Sequence, residues 1–292
     1  MLFRSMFNKR HIVRTIAATV SILALSFTAA CGSGQSTASN STDSDDITQQ
    51  TYKPGKLTIA TGQPAYEPGV KNDKPESGEG YEAAVAYAVA DKLGFKKSDV
   101  VWTRTAFDTA IAPGAKDWDF NIQQFGITDE RKKAVDFSSS YYNDSQSVVV
   151  KKDSKFANAT KVSDLKDATV GVMVGTLAYD YAKANIKDDI QTFNDDAALA
   201  QALDAGQIDA LVTSTVECVY MVQSEQVKDA KVLGRLPDSE DKSGMGIVLP
   251  KDSKLTAAVT KAVDDLNADG TIKKLQDKWL AEYTTDLTEL KK

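Results

Sequence analysis

Arg131, followed by Lys132 and Lys133, is the strongest candidate for chemistry in this sequence. A guanidinium can hold a carboxylate through two parallel hydrogen bonds. The run lies just inside a helix start predicted at Thr128, where free backbone N–H groups favour an anion but added positive charge opposes the helix dipole. We therefore expect Arg131 to bind a carboxylate, which relieves this conflict. The alternative is a solvent-exposed turn in which two acidic residues already offset the helix dipole. We prefer this alternative for Lys132 and Lys133.

Most other kinds of site lack the residues that they require. The 292-residue chain has two cysteines and one histidine, which excludes Cys/His zinc sites and disulfide scaffolds. Its net charge is −6 and no basic stripe is present, so we expect no nucleic-acid partner. Asp108, Asp117 and Asp119 look like surface or turn carboxylates, and no acidic spacing indicates a metal loop. Without a histidine to activate it, Cys218 is expected to be a small buried residue, and we expect no metal and no cofactor.

Residues 1–30 have the pattern of a secretory signal peptide. Four basic residues and no acidic residue occur there, and a mostly apolar run extends from Thr15 to Ala30. The only histidine, His11, lies in this segment. The sequence Ala-Ala-Cys-Gly around Cys31 resembles a bacterial lipobox, with Thr28 in place of the usual leucine. We expect lipidation of Cys31 and attachment to the extracellular face of the cell membrane; the alternative is a plain secreted protein.

The segment 31–55 is predicted to be a flexible tether. From Gly32 to Gln50 it consists mainly of Gly, Ser, Thr, Asn, Asp and Gln, which bury too little apolar surface to become ordered. The folded body is expected to begin near Lys56. Without residues 1–30 the chain is more acidic, because that segment contributes only positive charge.

Strands and helices alternate along the body. Apolar periodicity predicts strands at 57–61, 100–103, 118–122, 148–150, 169–174, 208–212 and 246–249, and helices at 82–93, 107–112, 177–184, 197–203, 255–266 and 272–279. This alternation is typical of α/β proteins, and it predicts two mainly parallel sheets. Ligands of such sheets bind beyond the carboxyl ends of the strands. The turns at 62–66, 123–128, 175–177 and 213–217 are therefore the expected site.

Four motifs at consistent spacing carry a family resemblance. They are Gly126–Ser138 (GITDERKKAVDFS), Gly171–Thr176, Ala205–Ala210 and Ala268–Ile272. Over residues 56–283 the chain resembles extracellular solute-binding proteins of ABC importers that bind polar amino acids. The resemblance implies a type II periplasmic-binding-protein fold with a ligand cleft between two lobes joined by two crossing strands. It places lobe 1 at 56–147 and 246–292, and lobe 2 at 148–245.

The resemblance also assigns roles in the cleft. It implies that Arg131 holds the α-carboxylate of the ligand and that the backbone N–H of Thr176 binds the same group. Tyr66 and Phe107 match positions whose side chains pack on the ligand. Aromatic residues more often belong to a core, so packing in the core is the alternative interpretation of Phe107.

Two positions depart from the pattern of the family. Gly126 stands where Ser or Thr is common, and Ser214 stands where an Asp commonly holds the α-ammonium of the ligand. Glu217, three residues later, would share a face with Ser214 if a helix begins there, and it could then supply the missing carboxylate. An exposed helical glutamate is the competing interpretation.

The remaining polar residues of these turns are uncharged. Gln63, Gln124, Thr213 and Ser214 are neutral, and Gln63 occupies a position that is often acidic in relatives that bind cationic amino acids. We therefore expect a polar, uncharged amino acid as the ligand.

The sequence thus predicts a monomeric, lipid-anchored binding protein that captures an extracellular amino acid and delivers it to a membrane permease. One alternative is an enzyme on the same fold, such as a dehydratase of cyclic substrates. Such an enzyme would need a carboxylate like Glu217 with a raised pKa, and we expect no catalytic residue. Another alternative is a ligand-sensing module, which is disfavoured because no kinase or membrane segment follows Lys292.

Overall fold

The computed structural model describes residues 46–284 and 287–292. The predicted signal peptide with His11, the lipidation site Cys31 and the tether up to residue 45 lie outside the described residues. Within the described part, no helix has the length and apolar character needed to cross a membrane.

Ten strands and seven α-helices form the described body. The strands are β1 (Leu57–Thr61), β2 (Val100–Arg104), β3 (Phe120–Asn121), β4 (Val135–Tyr142), β5 (Gln146–Lys151), β6 (Val170–Met173), β7 (Gln191–Phe193), β8 (Ala210–Ser214), β9 (Ala230–Arg235) and β10 (Met245–Pro250). The helices are α1 (Tyr81–Lys92), α2 (Phe107–Ile111), α3 (Leu177–Asn185), α4 (Asp196–Asp204), α5 (Thr215–Gln223), α6 (Thr256–Ala268) and α7 (Thr271–Trp279).

The first sheet is the centre of lobe 1 and has the strand order β2-β1-β3-β10-β4. Strand β1 pairs in parallel with β2 and β3, whereas β10 runs antiparallel to β3 and β4. Helices α1, α6 and α7 cover one face. Their apolar residues, such as Val85 and Val89 of α1 and Val259 and Val263 of α6, are fully buried against the sheet.

The second sheet is the centre of lobe 2 and has the order β7-β6-β8-β5-β9. Helix α3 packs on one face through Ala178 and Ala182. Helices α4 and α5 pack on the other face, where Leu199 and Met221 are buried. The free thiol of Cys218 is buried in this second core, as the sequence predicted.

The prediction of mainly parallel sheets was wrong, since each sheet is mixed. Strands that belong to strand–helix–strand units, such as β6 and β8, are parallel. Strands that enter from the other lobe, β5 in the second sheet and β10 in the first, run antiparallel to their neighbours. The crossing of the chain between lobes therefore reverses the strand direction.

Two crossing segments join the lobes, as expected for the fold. Residues 143–145 connect β4 to β5, and residues 236–244 connect β9 to β10. They are hydrogen-bonded to each other: the side-chain amide of Asn143 donates to Asp241 O at 3.0 Å, and Asp241 N donates to Asp144 O at 2.9 Å. The expected lobe boundaries at 147/148 and 245/246 lie close to these segments.

The end of the chain contacts lobe 2. The sequence placed all of 246–292 in lobe 1, but Arg235 N donates to Thr288 O and Leu290 N donates to Arg235 O, both at 2.9 Å. Leu290 is buried in the core of the second sheet. The charged tail has two leucines, Leu287 and Leu290, which are too few to show a periodicity, so this contact was not predicted.

Most predicted elements occur within a few residues of their expected bounds. The helix expected from Thr128 was wrong, because the segment forms only a 3-10 turn at Arg131–Lys133. Strands β4, β7 and β9 were missed. In β4 a run of three serines, Ser138–Ser140, conceals the strand, although it pairs with β10 along most of its length.

Asp119 is a buried structural residue and not the surface carboxylate that the sequence suggested. Its two oxygens accept hydrogen bonds from Tyr52 N at 2.5 Å and Thr58 N at 2.7 Å. Burial raises the pKa of Asp119, and the two N–H donors partly oppose this shift. The Asp119 carboxylate, just before β3, therefore links the segment before β1 to the start of β1.

Asp119→Ala should lower the free energy of unfolding by about 1–3 kcal/mol, because two backbone N–H groups lose their acceptor. Urea unfolding followed by circular dichroism measures this change. Asp117→Ala is the matched control, since Asp117 is exposed. We expect its effect to stay within about 0.5 kcal/mol. Equal stabilities of the two variants would contradict the structural role of Asp119.

Candidate ligand-binding cleft

A cavity of about 430 Å³ lies between the two lobes. The loops that follow β1, β3, β6, β7 and β8 line it, so it is located at the carboxyl ends of the strands. This is the edge at which the sequence placed the site. Eight of the predicted ligand-binding residues line the cavity: Gln63, Tyr66, Phe107, Gln124, Gly126, Arg131, Thr176 and Ser214. Glu217 is not among the lining residues.

Arg131 joins the two lobes across the cavity. Its Nη1 donates to Gly126 O of lobe 1 at 2.6 Å, and its Nη2 donates to Gly175 O of lobe 2 at 2.8 Å. The Thr128 hydroxyl accepts from Arg131 N at 3.1 Å and holds the turn. A guanidinium has five N–H donors, so three remain for a ligand. Burial lowers the pKa of Arg131, and the charges of Asp180 and Asp241 oppose this shift.

Phe107 packs in the core, which was the alternative considered for it, and it also lines the cavity. Its ring stacks on Phe125 with 4.7 Å between centroids, which makes it part of a buried cluster under the first sheet. The Arg131 guanidinium carbon lies 5.4 Å from the centroid of the same ring. Phe107 therefore supports the guanidinium from one side and fixes its plane.

Thr176 begins helix α3. Its hydroxyl accepts from Tyr179 N at 3.2 Å and donates to Met173 O at 2.7 Å. The side chain is therefore occupied by the cap, and only the backbone N–H of Thr176 is left for a ligand. The preceding Gly175 has φ +72°, a left-handed conformation that suits glycine.

Gly126 lies against lobe 2, which accounts for the absence of the Ser or Thr that is common there. A Cβ at this position would come within 2.6 Å of Leu177 Cδ1 and 3.0 Å of an Asp241 carboxylate oxygen. Leu177 thus fills the space that a larger residue would occupy when the lobes are together.

Tyr66 extends from the loop after β1 toward the start of α4. Its hydroxyl is buried without a hydrogen-bond partner. Burial raises the pKa of Tyr66 to about 12, and the negative charges of Asp195, Asp196 and Glu217 contribute to the shift. Gln63 is exposed at the rim of the cavity.

Four acidic residues that the sequence did not assign to the site also line the cavity: Glu82, Asp108, Asp195 and Asp196. Asp195 caps α4 by accepting from Ala198 N at 2.8 Å. Burial, and then the charge of Asp195, raise the pKa of Asp196 to about 6. The sequence showed Asn194-Asp195 as a helix cap, but because strand β7 before it was missed, this cap was not placed at the carboxyl edge of the sheet.

Gln124 has an unusual backbone. It adopts φ +52°, which is uncommon for a residue other than glycine. Its N–H donates to Glu82 Oε1 at 2.7 Å. Glu82 also accepts from the hydroxyl of Tyr141, so a buried carboxylate holds the lining loop in this conformation.

Glu217 lies in the first turn of α5. The hypothesis that Glu217 replaces the family's Asp at Ser214 required a helix to begin there. Ser214 caps this helix, with its hydroxyl accepting from Glu217 N at 3.3 Å. The competing interpretation as an exposed helical residue was wrong, because Glu217 is 2% exposed. Both of its carboxylate oxygens lack a hydrogen-bond partner.

The surroundings of Glu217 are strongly acidic. Burial raises its pKa well above the usual range, followed by the charges of Asp196, Glu82 and Asp144, while the Gln124 side chain opposes the shift. Asp196, Glu82 and Gln124 line the cavity, so Glu217 lies just behind its wall. No group of three or more acidic, Cys or His residues in the described segments has an arrangement that could hold a metal ion.

Two α/β lobes, two crossing segments and a polar cleft between them define a bilobed ligand-binding protein. The chain belongs to the bacterial extracellular solute-binding proteins of family 3, whose model matches residues 57–282. The L-cystine-binding protein TcyJ of Escherichia coli K12 is 31% identical over 209 residues, which cover 70% of this chain and 76% of that protein.

Solved structures agree with this assignment. An ancestral arginine-binding protein bound to arginine is 31% identical with a TM-score of 0.65, covering 77% of this chain and 98% of that one. The ancestral amino acid-binding protein AncCDT-1, a precursor of cyclohexadienyl dehydratase, is 30% identical with a TM-score of 0.65. The match to AncCDT-1 covers 77% of this chain and 96% of that one. The relatives are solute-binding proteins of the type II periplasmic fold.

Gly126→Ser should weaken ligand binding by about 1–3 kcal/mol, because overpacking at the lobe interface opposes closure. Calorimetry of the variant measures the loss. Adding Leu177→Ala to the same chain should restore part of the affinity, since it removes the atom nearest to the new side chain. Unchanged affinity of the Gly126→Ser protein would show that the contact with Leu177 does not limit closure.

Proposed function

We propose that this protein is the substrate-binding component of an ABC importer, which captures an extracellular amino acid and delivers it to a membrane permease. The observation that supports this most directly is the Arg131 guanidinium, hydrogen-bonded to both lobes and with three N–H groups unused. A ligand carboxylate at this place would be bound by both lobes together. Binding would then favour the closed form that a permease recognises.

The ligand lies with its α-carboxylate on Arg131 and the backbone N–H of Thr176. Its α-ammonium lies toward Glu217, which replaces the Asp that the family commonly has at Ser214. Tyr66 and Phe107 provide the aromatic walls, and Gln63, Gln124 and Gly126 complete the surface. This arrangement uses the residues that the sequence predicted, and all of them except Glu217 line the cavity.

The side chain of the ligand is polar. The neutral residues Gln63, Gln124 and Thr213 favour an uncharged one, for which amide side chains are the simplest partners. The acidic residues Asp195 and Asp196 in the same lining support a second candidate, a positively charged side chain. A thermal-shift screen of the twenty amino acids separates the two, because a ligand that binds only the folded state raises the melting temperature.

The protein acts in this proposal as a lipid-anchored monomer on the extracellular face of the membrane. Its role is binding and not catalysis, although the raised pKa of Glu217 is a property that an acid–base enzyme would also need. If the purified protein turned over cyclic substrates, its role would be enzymatic and the proposed binding role would be wrong.

Arg131→Ala should weaken binding of the amino acid found in the screen by about 2–5 kcal/mol, because the ligand carboxylate loses a charged partner in a partly desolvated cleft. Calorimetry measures the loss. Lys132→Ala is the control, since Lys132 is an exposed neighbour whose ion pair with Asp129 spans 3.5 Å. If the Arg131→Ala protein kept an affinity close to that of wild type, Arg131 would not be a ligand-binding residue.

Cys31→Ser should release the exported protein into the medium or periplasm, because acyl chains supply the strong membrane affinity of a lipoprotein. Fractionation of cells that express each form, followed by immunoblotting, measures the membrane-bound share. If the variant remains in the membrane pellet as fully as wild type, the protein is held there by something other than a lipid on Cys31.

A further inference from the structure

Arg104 lies at the end of β2 and contacts the loop between β1 and α1, although it is not itself among the residues that line the cavity. Its Nη1 donates to Gly62 O at 2.9 Å and to the carboxylate of Asp73, and its Nη2 donates to Asp73 O at 2.7 Å. The guanidinium has five N–H donors in a fixed plane, and three of them bind two separate points of this loop. Arg104 therefore links the loop to the edge of the first sheet.

The part of the loop that Arg104 holds forms a wall of the cavity. Residues 62–66 all line the cavity. The Asp73 oxygen that accepts from Arg104 also accepts from Ala65 N at 2.9 Å. Hydrogen bonds from Arg104 and Asp73 thus hold both ends of the segment 62–65, and Tyr66 follows directly.

The backbone around Asp73 adopts an uncommon conformation. Asn72 and Asp73 have φ +52° and +54°, left-handed values that are rare in residues other than glycine. Asn72 N donates to Glu67 Oε1 at 3.1 Å, and both the carbonyl and the carboxylate of Asp73 accept from Arg104. These hydrogen bonds offset the cost of the conformation, which directs the Asp73 carboxylate toward Ala65 N.

The loop also packs on helix α1. Ala65 and Val70 form a small buried cluster with Ala83 of α1. Tyr66 O accepts from Val70 N at 2.8 Å, so the backbone of Tyr66 is tied to this cluster. Apolar packing is non-directional, and it keeps the loop on the helix without fixing its exact place. The directional hydrogen bonds of Arg104 supply that further constraint.

We propose that Arg104 is a positioning residue for ligand binding, which acts through the segment 62–66 and sets the places of Gln63 and the Tyr66 ring in the cleft. The proposal rests on the proposed function, in which these two residues contact the ligand. None of the four motifs that carry the family resemblance includes Arg104 or Asp73. Contact residues need such supporting bonds to be held in a productive geometry.

Hydrogen exchange of the ligand-free protein tests whether Arg104 holds the loop. Arg104→Ala should speed amide exchange in residues 62–73, because the segment loses two attachment points and opens more often. Mass spectrometry of peptides that cover these residues measures the change. Asp73→Ala breaks the same link from the side of the loop, so it should speed exchange in the same segment.

Lys56→Ala is the matched control, because the hydrogen bonds of Lys56 join the segment before β1 to the segment before β2. Its Nζ donates to a carbonyl, Ser98 O at 3.2 Å, and to a carboxylate, Asp99 Oδ1 at 2.8 Å. It thus resembles Arg104 in the kinds of partner that it binds in lobe 1. Exchange of residues 62–73 in the Lys56→Ala protein should equal that of wild type.

Calorimetry tests whether Arg104 acts on the ligand through Tyr66. The probes are L-glutamine and L-arginine, which represent the two classes of side chain considered above. Arg104→Ala should weaken binding of the probe that binds wild type roughly tenfold, and the loss should shrink to about twofold in a Tyr66→Ala background, where no ring is left to position. The Arg104→Ala, Asp73→Ala double variant should lose no more affinity than either single variant, because both break one link.

The outcomes separate this proposal from the proposed function. Exchange of residues 62–73 that is as slow in Arg104→Ala and Asp73→Ala as in wild type would overturn it. Equal losses of affinity with and without the Tyr66 ring would also overturn it, since Arg104 would then affect binding by another route. If the wild type binds neither probe, the proposed function fails for both of its ligand classes, whereas faster exchange in the two variants would still show that Arg104 holds the lining segment.

Discussion

The Arg131 guanidinium holds the two lobes in their observed relation. It donates to a backbone carbonyl of each lobe, Gly126 O and Gly175 O, and rests on the ring of Phe107. Carbonyl oxygens are neutral, so these bonds leave the positive charge of Arg131 uncompensated at short range. In the proposed function, an anion bound at this position would contact both lobes.

The acidic residues give the cleft a second polarity. Glu82 is fixed by donors from its own lobe, whereas Glu217 is buried near the side chain of Gln124, and one oxygen of Asp196 is buried without a hydrogen-bond partner. The cleft thus has a positive charge at Arg131 and acidic residues elsewhere in its lining, which is the basis of the amino-acid ligand in the proposed function.

Local sequence patterns predicted the parts of the fold that depend on neighbouring residues. The apolar faces of α1 and α6 repeat every three or four residues, and β6 is a short stretch of Val-Gly-Val-Met, so both kinds of element were predicted near their true bounds. Four motifs, including the one around Arg131, predicted the family, and the carboxyl ends of the predicted strands indicated the edge at which the cavity lies. Strand β4 was missed because its partner, β10, follows more than a hundred residues later, and only that pairing explains three serines in a strand.

The residues of the cleft, too, were predicted where local sequence patterns reveal them and missed where distant segments meet. The sequence identified the lining residues that lie in turns, such as Gln124 and Thr176, but not Glu82, which lies in a helix and reaches the cavity through tertiary packing. It identified Glu217 from helix periodicity and could not show that the carboxylate would be buried and unpaired. Burial depends on residues from several distant segments, and no local pattern contains that information.

The final residues of the chain add a third connection between the lobes. The helix α7 and the turn Ala281–Tyr283 pack on lobe 1, while Thr288 and Leu290 pair with β9 of lobe 2. From Thr284 to Thr288 the chain can extend at most about 14 Å. As long as the tail stays paired with β9, this short covalent connection limits the distance by which the two lobes can separate. The range of the hinge is then set by covalent length as well as by the flexibility of the two crossing segments.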